Sequence, residues 1–389
     1  MADKHALLSA SGAHRWLACT PSAKLEEKFP ASTSEYAEEG TAAHELCELT
    51  ARYFLDEITE AEYENKRDEL AKGKYYTAEM QECANDYARF VRGKRDAARE
   101  TCEDAFVELE VKVDFSKYVK DGFGTGDCII IADNLIEIVD FKYGKGVRVE
   151  AEGNPQMRLY ALGALLKYNS LFDFETVRMT IFQPRLSGEQ SSDEISVKEL
   201  LTWAEKTVKP KAKLAYKGEG EFNPSEETCK FCRAKAQCRA RAEKNLALFD
   251  EAPDPLLISV DEAAEILNKA ADIKTWLTDL ENLVSSTLLR GENVAGWKMV
   301  EGRSTRRISD NGKAIEVLCS KLELQVCDLV VQEMLSLTEI EKAFGKKRVD
   351  EALGELITKP QGKPTLAPES DKRPALVMTD KVLAAFDEE

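Results

Sequence analysis

Two apolar runs, 128–132 (Cys-Ile-Ile-Ile-Ala) and 135–139 (Leu-Ile-Glu-Ile-Val), are separated only by Asp133-Asn134. Runs of this length around a two-residue polar break predict two strands joined by a tight hairpin. Asp127 would open the first strand, and Asp140 and Lys142 would close the second. Upstream, residues 105–114 carry apolar side chains at Phe106, Leu109, Val111 and Val113, which predicts another strand. Helical spacing fills most of the remainder up to position 216. It predicts a short helix over 8–28 opened by Ser9 or Ser11, a second over 37–55, and a long polar one over 60–100 with a break near Tyr75-Tyr76. Asn154-Pro155 signals a helix start, with Pro155 at the first helical position, and that helix runs to about Tyr168. A strand over 177–182, stopped by Pro184, and a helix over 196–216 follow.

The order is helix, helix, three strands, helix, strand, helix. A strand–helix–strand crossover after a meander implies a mixed central sheet flanked by helices, an α/β (α+β mixed) fold class. Beyond it, residues 259–290 have the apolar spacing of an amphipathic helix, with Ile266, Leu267, Ile273, Trp276, Leu277 and Leu280 among its positions. Residues 296–300 read as a short strand and 311–356 as helical. From Lys359 the chain is rich in Pro, Lys and Asp and reads as a flexible tail. These shifts divide the 389 residues into a core over 1–250, a mostly helical accessory region over 255–357 and a tail over 358–389.

A hydrophobic content of 43% is enough for a packed core. No apolar run reaches the length of a spanning helix, and the N-terminal residues lack the layout of a signal peptide. The expected setting is the cytoplasm, without a membrane partner. There thiols stay reduced, so the ten cysteines are not expected to form disulfides. A net charge of −17 argues against non-specific coating of nucleic acid. It leaves room for a local basic groove. Basic clusters lie at 206–217, at 230–241, at Arg303, Arg306 and Arg307, and at 346–348. Each alone reads as a solvated helix face.

The hairpin brings two carboxylates and an ammonium to one end of a sheet, where buried carboxylates are costly without a cation. Asp127 and Asp140 suit Mg²⁺ or Mn²⁺, and Lys142 can place a water or neutralise charge beside them. By itself the Asp-x-Lys triplet is an ordinary surface pair; the preceding Gly-Asp and the hairpin spacing favour a site. His44 follows Gly40, and Glu48 shares its helix face four residues on. Glu108 and Glu110 fall on one face of the upstream strand by alternation, and read as solvent-facing carboxylates. Gln156 and Tyr160, four apart, offer an amide and a phenol from one helix face.

In this order the elements resemble the PD-(D/E)xK nuclease superfamily, in its RecB-like branch. That branch shows a helix-borne histidine after a glycine, then Gly-x-x-Asp or a close variant, Asp-x-Lys, and Gln-x-x-x-Tyr. Here these are His44, Asp127, Asp140 with Lys142, and Gln156 with Tyr160. The resemblance covers about residues 8–245 and is nearest to RecB-like proteins of phages and prophages. It implies that His44, Asp127, Asp140 and the backbone carbonyl of Phe141 hold Mg²⁺ or Mn²⁺, with Lys142 orienting the attacking water. Further, it implies a metal-dependent DNA nuclease, an exonuclease on ends or single strands in phage replication or recombination, for which an oligomeric ring would suit processive action. The alternative is a non-catalytic DNA-binding or recombination accessory protein on the same fold.

Cys229-x-x-Cys232-x5-Cys238 is a metal-binding spacing that needs a fourth ligand, with Cys319 and Cys19 as the choices. From spacing alone zinc is an equal or better reading. In one RecB-like subgroup, which includes the CRISPR-associated and AddB-type nucleases, one cysteine precedes the core and three follow it. The resemblance therefore implies that Cys19, Cys229, Cys232 and Cys238 bind a [4Fe–4S] cluster that closes the domain.

Overall fold

The computed structural model describes residues 6–30, 34–186, 190–247, 259–300, 312–313, 315 and 335–357. Among them a five-stranded sheet, in the order β1-β2-β3-β4-β5, forms the centre. Its strands are β1 (Phe106–Asp114), β2 (Phe123–Ala132), β3 (Leu135–Phe141), β4 (Thr176–Phe182) and β5 (Ser191–Ser196). The β3–β4 pair is parallel and the other three are antiparallel, so the sheet is mixed, as expected. The hairpin turns at Asp133, whose φ of 45° is the left-handed conformation that a tight two-residue turn demands.

One sheet face is covered by α3 (Glu35–Phe54) and α5 (Ala78–Thr101), whose Leu46, Met80, Tyr87 and Val91 pack on Ile130, Val139 and Phe141. The other face is covered by the crossover helix α6 (Pro155–Tyr168), with α1 (Ala13–Ala18), α7 (Val197–Trp203) and α8 (Lys209–Lys217) behind it. The Asn154 side chain caps α6 by accepting from the Gln156 and Met157 N–H groups. Its first turn therefore begins at a defined place beside the end of β3.

Several sequence expectations change. The helix over 8–28 splits into α1 and α2 (Ser22–Glu26) at Cys19–Thr20–Pro21, where Cys19 leaves helical geometry (φ −130°, ψ 83°). Proline cannot continue a hydrogen-bonded turn. The helix over 60–100 is two, α4 (Glu60–Leu70) and α5, broken near Tyr75-Tyr76 and restarted by the Thr77 cap. Asp127 does not open β2 but lies in its middle, because Gly124–Gly126 already pair with Val111–Val113. The helix over 196–216 contains a π-helical turn, Ala204–Val208, between α7 and α8.

Further along are the short α9 (Glu226–Cys229), α10 (Arg239–Ala247) and the 30-residue α11 (Val260–Leu289). Residues 296–300 are not a strand: among the described residues no partner strand lies beside them, and Trp297 and Val300 are exposed. The helical reading of 311–356 is met by α12 (Leu337–Phe344) and α13 (Lys346–Leu353), separated at Gly345. The rest of that stretch, the Arg303, Arg306 and Arg307 cluster, Cys319, Cys327 and the tail over 358–389 lie outside the described residues.

Candidate metal site

Each predicted site residue except the cysteines comes to one end of the sheet. From α3, His44 puts Nδ1 3.5 Å from Asp127 Oδ2. The same Asp127 oxygen accepts the backbone N–H of Phe141 at 2.7 Å. Regular β2–β3 pairing stops at Cys128–Val139, so the Asp127 side chain takes over where the ladder ends. The Phe141 ring packs edge-on against His44 with centroids 5.2 Å apart, which fixes the imidazole.

Asp140 is 2% exposed. Lys142 Nζ lies 2.7 Å from its Oδ2, and Gln156 Nε2 donates to its Oδ1 at 3.2 Å. The Gln156 amide also reaches the Tyr160 hydroxyl at 3.3 Å. Lys142 is itself held by its backbone N–H, which donates to the Phe182 carbonyl.

Burial dominates the electrostatics. It raises the Asp140 carboxyl above the usual range even against the Lys142 charge. For Lys142, burial pulls down, but the charges of Asp140 and Asp127 outweigh it and the ammonium is held more firmly than usual. At His44, burial also pulls down, and the Asp127 hydrogen bond and charge raise it overall. The Tyr160 phenol is pushed up to about 12, first by burial and then by Asp140, so it stays protonated.

The one group of three or more potential metal donors within 4.8 Å of each other, among the described residues, is His44, Glu110 and Asp127. Asp140 is not in it. Strict alternation missed Glu110 because β1 changes face there. Leu109 packs on the α3–α5 side and Val111 on the α6 side, although both are odd positions. Glu110 sits at this irregularity with φ 52°, a strained value for a non-glycine residue. Glu108 is thereby parted from Glu110 and pairs with Lys167 at 3.0 Å and Tyr168 at 2.6 Å. Burial, then Asp127 and Glu48, push the Glu110 carboxyl up to about 7. Glu48 does not join the donor group; Arg52 holds it at 2.8 Å. A positive φ inside β1, in the gap between the Leu109–Cys128 and Val111–Gly126 pairs, has no mark in the sequence.

Cys19, Cys229, Cys232 and Cys238 line one common cavity, with Arg15 and Lys235 at its walls. The Cys19 sulfur accepts the Asn223 N–H, and the Thr20 hydroxyl donates to the Glu219 carbonyl at 2.7 Å, so the α1–α2 break is tied to the segment before α9. The four sulfurs do not form a donor group within 4.8 Å.

Over residues 5–374 the chain matches the model of a family described as a protein of unknown function, DUF2800. The chain belongs to the DUF2800 family. Among solved structures this DUF2800 member is similar to a candidate exonuclease from Eubacterium rectale, at 13% identity over 66% of this chain and 92% of that one, with a TM-score of 0.31. It is also similar to an alkaline exonuclease from Laribacter hongkongensis, at 14% identity over 43% and 87% of the two chains, with a TM-score of 0.21.

Proposed function

We propose that this chain is a divalent-metal-dependent DNA nuclease that hydrolyses phosphodiester bonds. The observation that carries the reading is the convergence, at one sheet end, of His44, Asp127, Asp140, Lys142, Gln156 and Tyr160 from four separate elements, α3, β2, β3 and α6. A surface ion pair needs none of the first, fifth or sixth. The donor set fits Mg²⁺ or Mn²⁺: oxygen-rich, with one imidazole that favours the latter. Asp127, Glu110 and His44 would hold the ion, with Asp140 and the Phe141 carbonyl completing the set. A bound ion of this kind acidifies water and offsets charge on a phosphate.

The chain's own residues then have distinct tasks. The firmly protonated Lys142 offers donors to a water or phosphate oxygen while balancing Asp140. Gln156 fixes the plane of the Asp140 carboxylate, and Tyr160, protonated throughout, presents a permanent donor beside it. Burial around Asp140 strengthens each of these interactions.

By the same reading residues 1–250 form the nuclease domain and 255–357 an accessory region. Cys19, Cys229, Cys232 and Cys238 are assigned a [4Fe–4S] cluster. The cavity that the four share supports one common metal centre there. By the same reading the protein works in the cytoplasm, where thiols stay reduced. Among the described residues no helix is long and apolar enough to cross a membrane. The substrate is DNA, attacked from ends or as single strands, in phage replication or recombination.

The test incubates full-length protein, purified anaerobically, with linear duplex, closed circular and single-stranded DNA, in Mg²⁺, Mn²⁺ or chelator. Metal-dependent loss of linear or single-stranded DNA, with closed circles spared, is expected. Tight DNA binding with no cleavage in any metal would instead establish the accessory-protein reading.

A further inference from the structure

Gly124, the first glycine of Gly-Thr-Gly-Asp, touches no donor group, yet it faces α6 more closely than a side chain would permit. A β-carbon at Gly124 would lie 2.7 Å from Cε1 of the Tyr160 ring. Its cross-strand partner is Val113. There the roles reverse: the glycine is on the helix, and a β-carbon at Gly163 would meet Val113 Cβ at 2.8 Å. Tyr160 and Gly163 are three apart on α6, so they share a helix face. Two adjacent points on β1 and β2 thus seat two adjacent points on α6, each by omitting one side chain. Both contacts are tighter than atoms tolerate, and both press on ordered groups, a buried ring and a strand residue.

What this seat controls lies one turn away. Gln156 is four residues before Tyr160, donates to the Tyr160 hydroxyl and also holds Asp140. We propose that Gly124 is a positioning residue of the site: by admitting the Tyr160 ring it sets the depth of the α6 N-terminus, and so the grip of Gln156 on Asp140. Gly163 secures the same helix face one turn on, against Val113. The inference rests on the nuclease reading of the site.

The test is a double-mutant cycle of Gly124→Ala with Tyr160→Ala, read both as metal-dependent cleavage and as Mn²⁺ affinity by calorimetry. A misplacement of about 1 Å can cost on the order of 10²-fold in rate, and Gly124→Ala should lower kcat by up to that much while KM moves little. In the Tyr160→Ala background, with the ring gone, adding Gly124→Ala should change neither readout further. Gly124→Ala should also weaken Mn²⁺ binding without altering the overall helical content. Equal effects of Gly124→Ala with and without the Tyr160 ring would overturn the proposal, because a defect of the strand itself needs no ring. So would full activity in the single variant. Wild-type protein that cleaves nothing removes the nuclease reading instead; the cycle measured on thermal midpoints then still decides whether Gly124 acts through Tyr160.

Discussion

Glu110→Gln should stabilise the metal-free protein at alkaline pH while weakening its hold on a divalent cation. The usual carboxyl value of 4.5 is pushed up to about 7 in the fold. Between those values the folded state keeps a proton that the unfolded state has released. Stability contributed by this group is therefore complete below pH 4.5 and is lost as pH rises through about 7. At about 1.4 kcal/mol per pH unit, the gap bounds the cost of ionised Glu110 at roughly 3.4 kcal/mol. The side chain is only half-buried, and solvent screening reduces this to about 1–2 kcal/mol. Glutamine cannot ionise and escapes that cost. In chelator at pH 8 the variant should melt about 2–8 °C higher than wild type, using about 2–4 °C per kcal/mol for a domain of this size. Near pH 4.5 the difference should vanish. With Mn²⁺ the order reverses, since wild type gains a charged ligand and the variant does not; affinity should fall on the order of 10-fold or more. A variant that is less stable in chelator at pH 8, or that binds Mn²⁺ as tightly as wild type, would refute the placement of Glu110 in the metal site.

Two further outcomes concern the other end of the domain. Cys232→Ser should remove iron and the brown colour from anaerobically purified protein and lower the melting point, whereas a colourless wild type with stoichiometric zinc would move the assignment to zinc. Arg241, 1% exposed, holds Asp272 at 2.6 Å and Asp279 at 2.7 Å across the α10–α11 contact. Arg241→Met leaves two buried carboxylates without that partner and should cost about 3–5 kcal/mol locally. It would show as fast hydrogen exchange confined to α11 and its neighbours, and unchanged α11 protection would count against this docking.

The strongest local signals in the chain were reliable guides to the fold. Asp133-Asn134 between two apolar runs is a turn between two strands, and Asn154-Pro155 is a cap and a first helical residue. β5 escaped notice because Ser-Ser-Asp-Glu-Ile-Ser is a polar edge strand, with only Ile195 buried, and it shows no hydrophobic alternation. Of the candidate site, His44, Asp140, Gln156 and Tyr160 were legible because helix and strand periods place them, and Lys142 because it follows directly on the end of β3. Glu110 was not, because its placement depends on a departure from the strand period. Gly124 was visible as part of a motif, but its purpose lies in a contact with a residue 36 positions away. The Cys229–Cys232–Cys238 spacing is a metal-binding pattern in the sequence, and the fold brings the distant Cys19, named as a candidate fourth ligand, to the cavity the three line.

The central claim is tested most directly by Lys142→Ala beside wild type, with DNA cleavage in Mn²⁺ and DNA affinity measured on the same preparations. Lys142 contributes a firmly held positive charge next to Asp140 and no metal ligand. The account predicts that cleavage falls on the order of 10²–10³-fold, as for removal of one charge-stabilising donor, while Mn²⁺ and DNA binding persist. Cleavage by the variant at the wild-type rate, or no metal-dependent cleavage by either protein, would contradict it.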